Sequence, residues 1–508
     1  MGRPESADNN GSARDEDGKE VDLPKGWMYK QRNVGPVALP WYASPMTQLL
    51  LVSFVCFFCP GMFNALSGLG GAGISDAHAA NQAGTALNVT FSVVGFFGGV
   101  IVNLVGVRIA LSFGGIGYFV YAAAALTWKH TQNNGFFIFA GVLLGTCAGV
   151  LWTAQGLIMM SYPREKEKGS YVAIFWAIFN SGAVIGSLGA LGQEIHDSGQ
   201  TASDGTYAIF MALMFTGAIL ACFLCDPAKV IRSDGTRVTV PKHPSVLSEF
   251  KGMARSLITD WYIIFLFPMY WSSNWFYVYH FNDFNLGRFN IRTRALNNVL
   301  YWTSQIVGAL VFGNALDWSR FPRVTRARCG VIALFCITMG IWGGGFVYQQ
   351  QFTRETKELL DWTSDGYLPP MFLYMFYGFF DAAWQTTVYW LIGSLTNNSR
   401  KTAYFAGFYK GIQSAGAAVV PQLDNIPLSY MSMLAINWGL LAGSLLLAAP
   451  VFFAKVKNHI DAEEDVVDPE EVNDLQEAID VTPKPSQTVD FPMLAQSTTT
   501  IEMNQPVE

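Results

Sequence analysis

The chain reads as an all-α polytopic membrane protein, with twelve transmembrane helices in two six-helix halves. Three observations predict this. Of its 508 residues, 51% are hydrophobic, 14% aromatic and 14% charged, against about 25% charged in an ordinary soluble domain. Both ends are visibly polar, yet mean hydropathy is +0.26, so the apolar residues concentrate between them. The stretch from Met46 to Ala454 has room for about a dozen crossings at roughly 20 apolar residues each plus a short connection. The composition excludes a conventional cytoplasmic enzyme, and no nucleic-acid partner is expected.

The elements follow in chain order. Residues 1–45 are polar and mixed in charge, without the apolar run of a cleavable signal, so a disordered cytoplasmic segment is expected before an uncleaved first anchor. Cutting the apolar runs at charges, prolines and glycine clusters gives six spans near 46–68, 84–106, 107–128, 135–160, 170–192 and 206–225. Six more follow near 259–281, 294–316, 329–350, 369–396, 402–422 and 428–453, making halves of 46–225 and 259–453. Between them, 226–258 holds Lys229, Arg232, Arg237, Lys242, Lys251 and Arg255 and reads as a central cytoplasmic loop. The tail 454–508 carries 13 acidic and 3 basic residues; such a segment does not bury a core and reads as a disordered cytoplasmic tail.

Orientation follows from Lys and Arg, because positive loops stay on the cytoplasmic side. With both termini inside, the inner loops and flanks hold 21 basic residues and the outer loops six: Lys129, Arg288, Arg292, Arg294, Arg354 and Lys357. The seven cysteines lie in apolar runs, and the Cys56/Cys59 and Cys222/Cys225 pairs read as small apolar residues on a helix face. No metal site is expected.

Internal repetition supports the halving. At an offset of 232, Trp152 of span 4 falls on Trp384 of span 10; at 233, Phe175-Trp176 fall on Phe408-Tyr409 and Asn180-Ser181 on Gln413-Ser414. Parallel repeats related by an axis along the membrane normal leave such traces. In addition, Gly99-Val-Ile-Val-Asn103-Leu-Val-Gly106-Val-Arg108 follows span 2, and Gly313-Asn-Ala-Leu-Asp317-Trp-Ser-Arg320 follows span 8. Both resemble the loop motif of the major facilitator superfamily, with Asn103 in place of the usual Asp and the second copy lacking its later Gly. Asn103, Arg108, Asp317 and Arg320 are therefore the gating-loop candidates. The resemblance implies the major facilitator fold, in which spans 1, 4, 7 and 10 line a central cavity and spans 3, 6 and 9 face outward.

Polar residues partition accordingly. The middles of spans 3, 6 and 9 lack Asn, Gln, His and charged residues, whereas span 1 has Asn64, span 4 Gln155, span 7 Asn274, and span 10 Asp381 and Gln385. Polar groups within hydrocarbon are costly and face a bundle interior or an aqueous path. Asp381 is a mid-span carboxylate, and Lys410 is a basic residue inside span 11. At about 1.5 Å per residue, Asp381 lies roughly 22 Å and Lys410 roughly 12 Å from the cytoplasmic ends of their helices. They read as a substrate-binding or proton-coupling pair, or else as a snorkelling Lys and a carboxylate capping a kink. The run Trp271-Ser-Ser-Asn274-Trp275-Phe-Tyr277-Val-Tyr279-His280 suits a flat or amphiphilic organic ligand. Within it, Tyr277, Tyr279 and His280 are assigned to the outer interfacial belt. The substrate-binding or coupling candidates are thus Asn64, Trp152, Gln155, Asn180, Trp271, Asn274, Trp275, Asp381, Trp384, Gln385, Lys410 and Gln413. Spaced glycines, including Gly95/Gly99 and Gly141/Gly145/Gly149, read as close-approach points between helices.

Gly68-x-Gly70-x-x-Gly73 lacks the strand and helix context of a dinucleotide site, and neither a Walker-type loop nor HExxH is present, so no cofactor is expected. Two segments, Cys59-Pro-Gly-Met-Phe-Asn64-Ala-Leu-Ser67-Gly-Leu-Gly-Gly-Ala-Gly73 and Trp152-Thr-Ala-Gln155-Gly156 with the later Phe175-Trp176 and Asn180-Ser181, carry a narrower resemblance. They resemble the Unc-ninety-three-like family, the ion-channel-regulatory branch of the superfamily, in its fungal form, over about residues 40–453. The resemblance implies either a secondary transporter of a small molecule or ion, or a non-transporting regulator or chaperone of a channel or other membrane protein. In both cases the bilayer is the first partner.

Overall fold

The computed structural model describes residues 24–34, 37–164, 167–232, 234–238, 257–396, 399–426 and 428–458, with short pieces at 13–14, 20–21 and 254–255. Among them the chain makes twelve helical passes. In the first half, α1 is Pro45–Gly68, α2 Ala77–Val105, α3 Val107–Thr131, α4 Asn134–Ser161, α5 Lys168–Glu194 and α6 Asp204–Ala221. In the second half, α7 covers 261–286, α8 Ile291–Leu316, α9 Arg323–Gln349, α10 Leu368–Leu395, α11 Ser399–Asn425 and α12 Tyr430–Ala454. Among the described residues, eight passes are long and apolar enough to cross a bilayer on those grounds alone. The protein is a multi-pass integral membrane protein. A hairpin pairing Arg32–Val34 with Val37–Leu39 precedes the bundle, and the Tyr29 hydroxyl donates to the Lys229 carbonyl at 2.9 Å, tying this segment to the loop after α6. The tail beyond Asn458 and most of the central loop lie outside the described residues.

Helix boundaries follow local chemistry. The even-numbered helices begin at the end of the bundle opposite the termini, here called the distal end. Five of them start on a side-chain cap: Asp76, Asn133, Ser203, Asn290 and Ser429 accept from backbone N–H groups of the first turn. Each such cap stabilises a helix start by about 1 kcal/mol. The Asp76 cap explains why α2 begins at Ala77, earlier than its hydropathy suggests. Gly106, at φ 81°, joins α2 to α3 in a single-residue turn, a backbone conformation that side-chain-bearing residues rarely adopt.

Two passes are irregular. Around Pro60, α1 widens into a π-turn over Phe57–Gly61, as expected where proline removes a backbone donor. In α7, 3-10 geometry at Trp261–Leu266 gives way to short α segments and then to a π-helix over Tyr279–Leu286.

Each half has its own apolar core. The halves meet where α2 packs on α11 and α5 on α8. Exchange across this seam is reciprocal: Ala183 of α5 packs into the second half's core, and Ile291 and Ala295 of α8 pack into the first's. On α3, α6 and α9, Ile109, Phe113, Phe215, Ile219, Ile332 and Phe346 are exposed, an apolar surface suited to lipid. The spaced glycines divide. A Cβ at Gly141 would meet the Ala83 carbonyl oxygen at 2.3 Å, so α2 and α4 approach closely there, whereas Gly95, Gly99, Gly340, Gly439 and Gly443 have open space. Only some of the glycine spacing therefore serves packing.

Candidate functional site

Midway along the bundle, polar side chains from three helices converge. From α11, the Gln413 amide nitrogen donates to Asn274 Oδ1 of α7 (3.0 Å), Gln385 Oε1 of α10 (3.2 Å) and the Tyr409 hydroxyl (2.9 Å). Gln385 Nε2 donates in turn to the Ser273 carbonyl at 2.8 Å and to Asn274 Oδ1 at 3.2 Å, and the Tyr409 hydroxyl donates to Gln385 Oε1. Trp384 Nε1 donates to Ser273 Oγ at 3.0 Å. Lys410 Nζ donates to Gln413 Oε1 at 2.8 Å and lies over the Tyr389 and Tyr409 rings at 5.4 and 5.3 Å. In the first half, Trp152 stacks on Trp176 with ring centroids 6.5 Å apart and meets the Phe179 edge at 5.4 Å. Trp176 touches Tyr389 across the seam at 6.0 Å. Asn64, Trp152, Trp176, Asn180, Trp271, Asn274, Gln385, Tyr389 and Lys410 are half-buried, so the space between the halves admits solvent at this level.

Asp381 lies behind this surface and is fully buried. Its Oδ2 accepts from the Tyr301 hydroxyl at 3.0 Å and from Gln305 Nε2 at 2.7 Å, both on α8. His280 Nδ1 stands 3.3 Å from the same hydroxyl, and its ring stacks on Tyr377 at 4.3 Å. Among the described residues, Asp381 Oδ1 and His280 Nε2 have no hydrogen-bond partner. Asp381 and Lys410 form no ion pair. The two charges read from the sequence as a pair do not meet: Asp381 is bonded by Tyr301 and Gln305 of α8, and Lys410 by Gln413.

At the distal end, hydrogen bonds close the seam. Arg294 is fully buried and donates to the carbonyls of Leu69 and Gln200 at 2.6 Å and of Gly70 at 3.2 Å. Asn298 donates to the Ala65 carbonyl at 2.6 Å, and Asn285 to that of Gly68 at 3.0 Å. Gly68 is needed here, because a Cβ would fall 1.9 Å from Asn298 Oδ1. Asn81 of α2 donates to Asp424 Oδ2 at 2.6 Å and accepts from Asn282 at 2.9 Å. Arg354, from the loop between α9 and α10, bridges Asp424 and Asp283. Farther from the distal end, Ser92 Oγ of α2 donates to the Gly411 carbonyl of α11 at 3.4 Å.

The structure thus joins Asn274, Trp384, Gln385, Lys410 and Gln413 in one contact network. Trp152 stands against the ring wall opposite it, and the Trp271 and Trp275 rings lie tilted to each other with centroids 6.1 Å apart. Gln155 is buried, with its amide 3.4 Å from the Met159 sulfur. The Asn64 and Asn180 side chains make no hydrogen bond among the described residues. Of the gating candidates, Arg108 donates to the Leu224 carbonyl at 2.7 Å, Asp317 accepts from Trp390 Nε1 at 3.0 Å, and Arg320 is exposed. The Asn103 side chain lies outside the described residues.

Two assignments are corrected. Tyr279 and His280 are fully buried, not interfacial, and Tyr277 is half-buried beside Asp381. The π-helical stretch carries α7 beyond 281 to Leu286 and turns these rings inward, where Tyr279 donates to Gln349 Oε1 at 2.7 Å. Arg294, counted among the outer loop charges, is inside α8 and buried. Sequence reasoning also passed over Asn297, Asn298, Tyr301 and Gln305 of α8. Their spacing, with Arg294, along one helical face was the available signal.

Twelve passes in two halves that meet through α2 with α11 and α5 with α8 define a membrane protein of the major facilitator fold. The backbone is similar to that of a D-xylose-proton symporter, at a TM-score of 0.58 and 12% sequence identity, covering 82% of this chain and 98% of that one. At that identity the likeness concerns fold alone. The family model described as ion channel regulatory protein UNC-93 matches residues 74–452, and the chain belongs to that family. It is 48% identical over 448 residues to a UNC93-like protein of Schizosaccharomyces pombe, covering 87% of this chain and 89% of the relative. To UNC93-like protein 1 of Arabidopsis thaliana it is 41% identical over 425 residues, 83% of this chain and 92% of the relative.

Proposed function

We propose that this protein is a secondary transporter that moves a small solute by alternating access, with proton coupling through Asp381. The observation that carries this reading is the contrast between two levels of the seam. The distal end is closed by hydrogen bonds that exchange for water when broken, and the middle is polar, ring-lined and open to solvent. A rigid scaffold gains nothing from a carboxylate buried at mid-bundle, which costs at least ~2.5–3.5 kcal/mol on insertion scales. A transporter uses such a group when the halves rock and expose it in turn. With the basic loops and both termini cytoplasmic, the distal end is the outer face and this conformation is closed outward. The solute then contacts the Asn274, Gln385 and Gln413 cluster, with Trp152, Trp176 and Trp271 as ring surfaces.

A second reading, a regulator or chaperone of a channel or other membrane protein, is supported by the family's description and by one surface. A groove of about 600 Å³ runs between α9 and α10, lined by Gly340, Gly344, Phe372 and Phe376 among others and facing outward. Uptake into proteoliposomes across a panel of metabolites and ions, with and without a pH gradient, separates the two. Transport of a panel member supports the first reading. Absence of flux throughout, with a channel's activity altered on co-reconstitution, supports the second.

A further inference from the structure

We infer that the transported solute is an organic anion whose charged group docks on Lys410, an inference that rests on the transporter reading of the same cleft. Lys410 is a cation in the solvent-admitting middle of the seam. Among the described residues no carboxylate pairs with it: Asp381 is turned to Tyr301 and Gln305, and Asp317 to Trp390. An ammonium has three N–H donors, of which one is directed at Gln413 Oε1. The Tyr389 and Tyr409 rings beneath Nζ hold the charge in place by cation–π attraction. Gln413 is itself fixed by its bonds to Asn274, Gln385 and Tyr409. The result is a positioned, half-exposed cation with unused donors, costly to hold in a bundle interior and relieved by a ligand's negative charge.

The surroundings define the rest of the ligand. Tyr389, beside Lys410, contacts Trp176, and Trp152 and Phe179 pack behind Trp176. Set tilted and edge to face around Trp176, these rings form an aromatic wall that begins at Tyr389 beside Nζ, suited to the face and edge of an aromatic body. A lysine recognises charge as a point, whereas arginine offers a bidentate fork, so one monoanionic group suffices. The chemical class is an aromatic carboxylate. A neutral analogue leaves the ammonium uncompensated, and an amine is repelled.

The test uses the purified full chain with benzoate, 1-naphthoate and indole-3-carboxylate, each beside its amide and its aminomethyl analogue. Binding is read as the rise in unfolding temperature with ligand concentration, and transport as counterflow in proteoliposomes. At least one carboxylate stabilises the protein, and its amide and amine do not. Lys410→Met weakens that binding about 10- to 100-fold, and Lys410→Arg restores most of it. Should Lys410→Met fail to fold, Tyr389→Leu, which removes a ring beneath Nζ, still weakens binding severalfold. Stabilisation by none of the carboxylates, equal stabilisation by carboxylate and amide, or wild-type affinity in a folded Lys410→Met protein overturns the proposal. Carboxylate binding without counterflow upholds the anion site and counts against transport. Flux of a neutral or cationic solute without carboxylate binding overturns the anion site alone.

Discussion

Replacing Arg294 with methionine asks how firmly hydrogen bonds hold the distal end shut. The guanidinium supplies two contacts of 2.6 Å and one of 3.2 Å to backbone carbonyls of the first half. Methionine keeps much of the apolar stem and deletes every donor, so the closed seam retains the Leu69 and Gln200 carbonyls without partners, while Gly70 keeps its bond from the Gly73 N–H at 2.9 Å. An orphaned buried polar group costs roughly 1–3 kcal/mol, about 2–6 kcal/mol for the two carbonyls left behind. The buried charge carried its own desolvation cost, which methionine recovers, so the net falls near the lower end, about 3 kcal/mol. In the opened arrangement water satisfies the same carbonyls, and the cost falls on the closed state alone. The closed-to-open ratio then drops on the order of 100-fold. Ser187 provides the reporter: it is fully buried, one helical turn beyond Ala183, which packs into the second half's core. In a chain whose seven native cysteines are replaced, a Ser187→Cys probe reacts with a membrane-impermeant maleimide. Arg294→Met raises its labelling rate at least tenfold. An unchanged rate with an unchanged melting temperature refutes the view that this guanidinium holds the seam.

Three further outcomes are expected. In the loop before α10, Asp361 accepts from Arg292 Nη2 at 2.6 Å and Nε at 2.8 Å, and from Asn290 at 2.8 Å. The Arg292 hydrogen bond holds the carboxyl well below the usual carboxylate range, against the opposing effect of partial burial. Because the folded value is depressed, the stabilisation is present above the unfolded value of about 3.9 and is lost as pH falls toward the folded value. Asp361→Asn therefore lowers the melting temperature at pH 7, and the gap to wild type narrows below about pH 4; a gap independent of pH contradicts the assignment. Asp381→Asn abolishes pH-gradient-driven uptake in proteoliposomes while leaving downhill exchange, and wild-type coupling in that variant makes the carboxylate structural. Gly141→Ala forces a Cβ against the Ala83 carbonyl and destabilises by about 1–3 kcal/mol, whereas Gly95→Ala, with open space, is within about 0.5 kcal/mol of wild type. Equal melting temperatures for the two variants would show that the α2–α4 contact tolerates the methyl group.

The polar network was partly legible. Asn274, Gln385 and Gln413 stand out because amides within apolar runs are rare, and the structure joins all three through the Gln413 amide. That Asp381 and Lys410 do not pair was not legible. Depth along two helices follows from residue counting, but whether two side chains meet depends on the rotation of each helix about its axis, and α8 presents Tyr301 and Gln305 to Asp381 first. Arg294 illustrates the same difficulty at a helix end. A charge eight residues after α7 ends counts as a loop charge by composition, and only the partner carbonyls of Leu69, Gly70 and Gln200 show that it is buried.

By itself the sequence determined the number of crossings, their order, the halving and the family, because a bilayer requires each pass to satisfy its backbone internally over about 20 apolar residues. That demand is local, and among the described residues eight of the passes meet it by length and apolar composition alone. The tertiary structure alone decided that hydrogen bonds hold the distal end of the seam, that the Tyr279 and His280 rings turn inward, and that, among the described residues, Lys410 stands without a carboxylate. These depend on helix rotation and on contacts between residues more than two hundred positions apart, such as Asn298 with Ala65. Hydropathy sums over single residues and carries no information about such pairs.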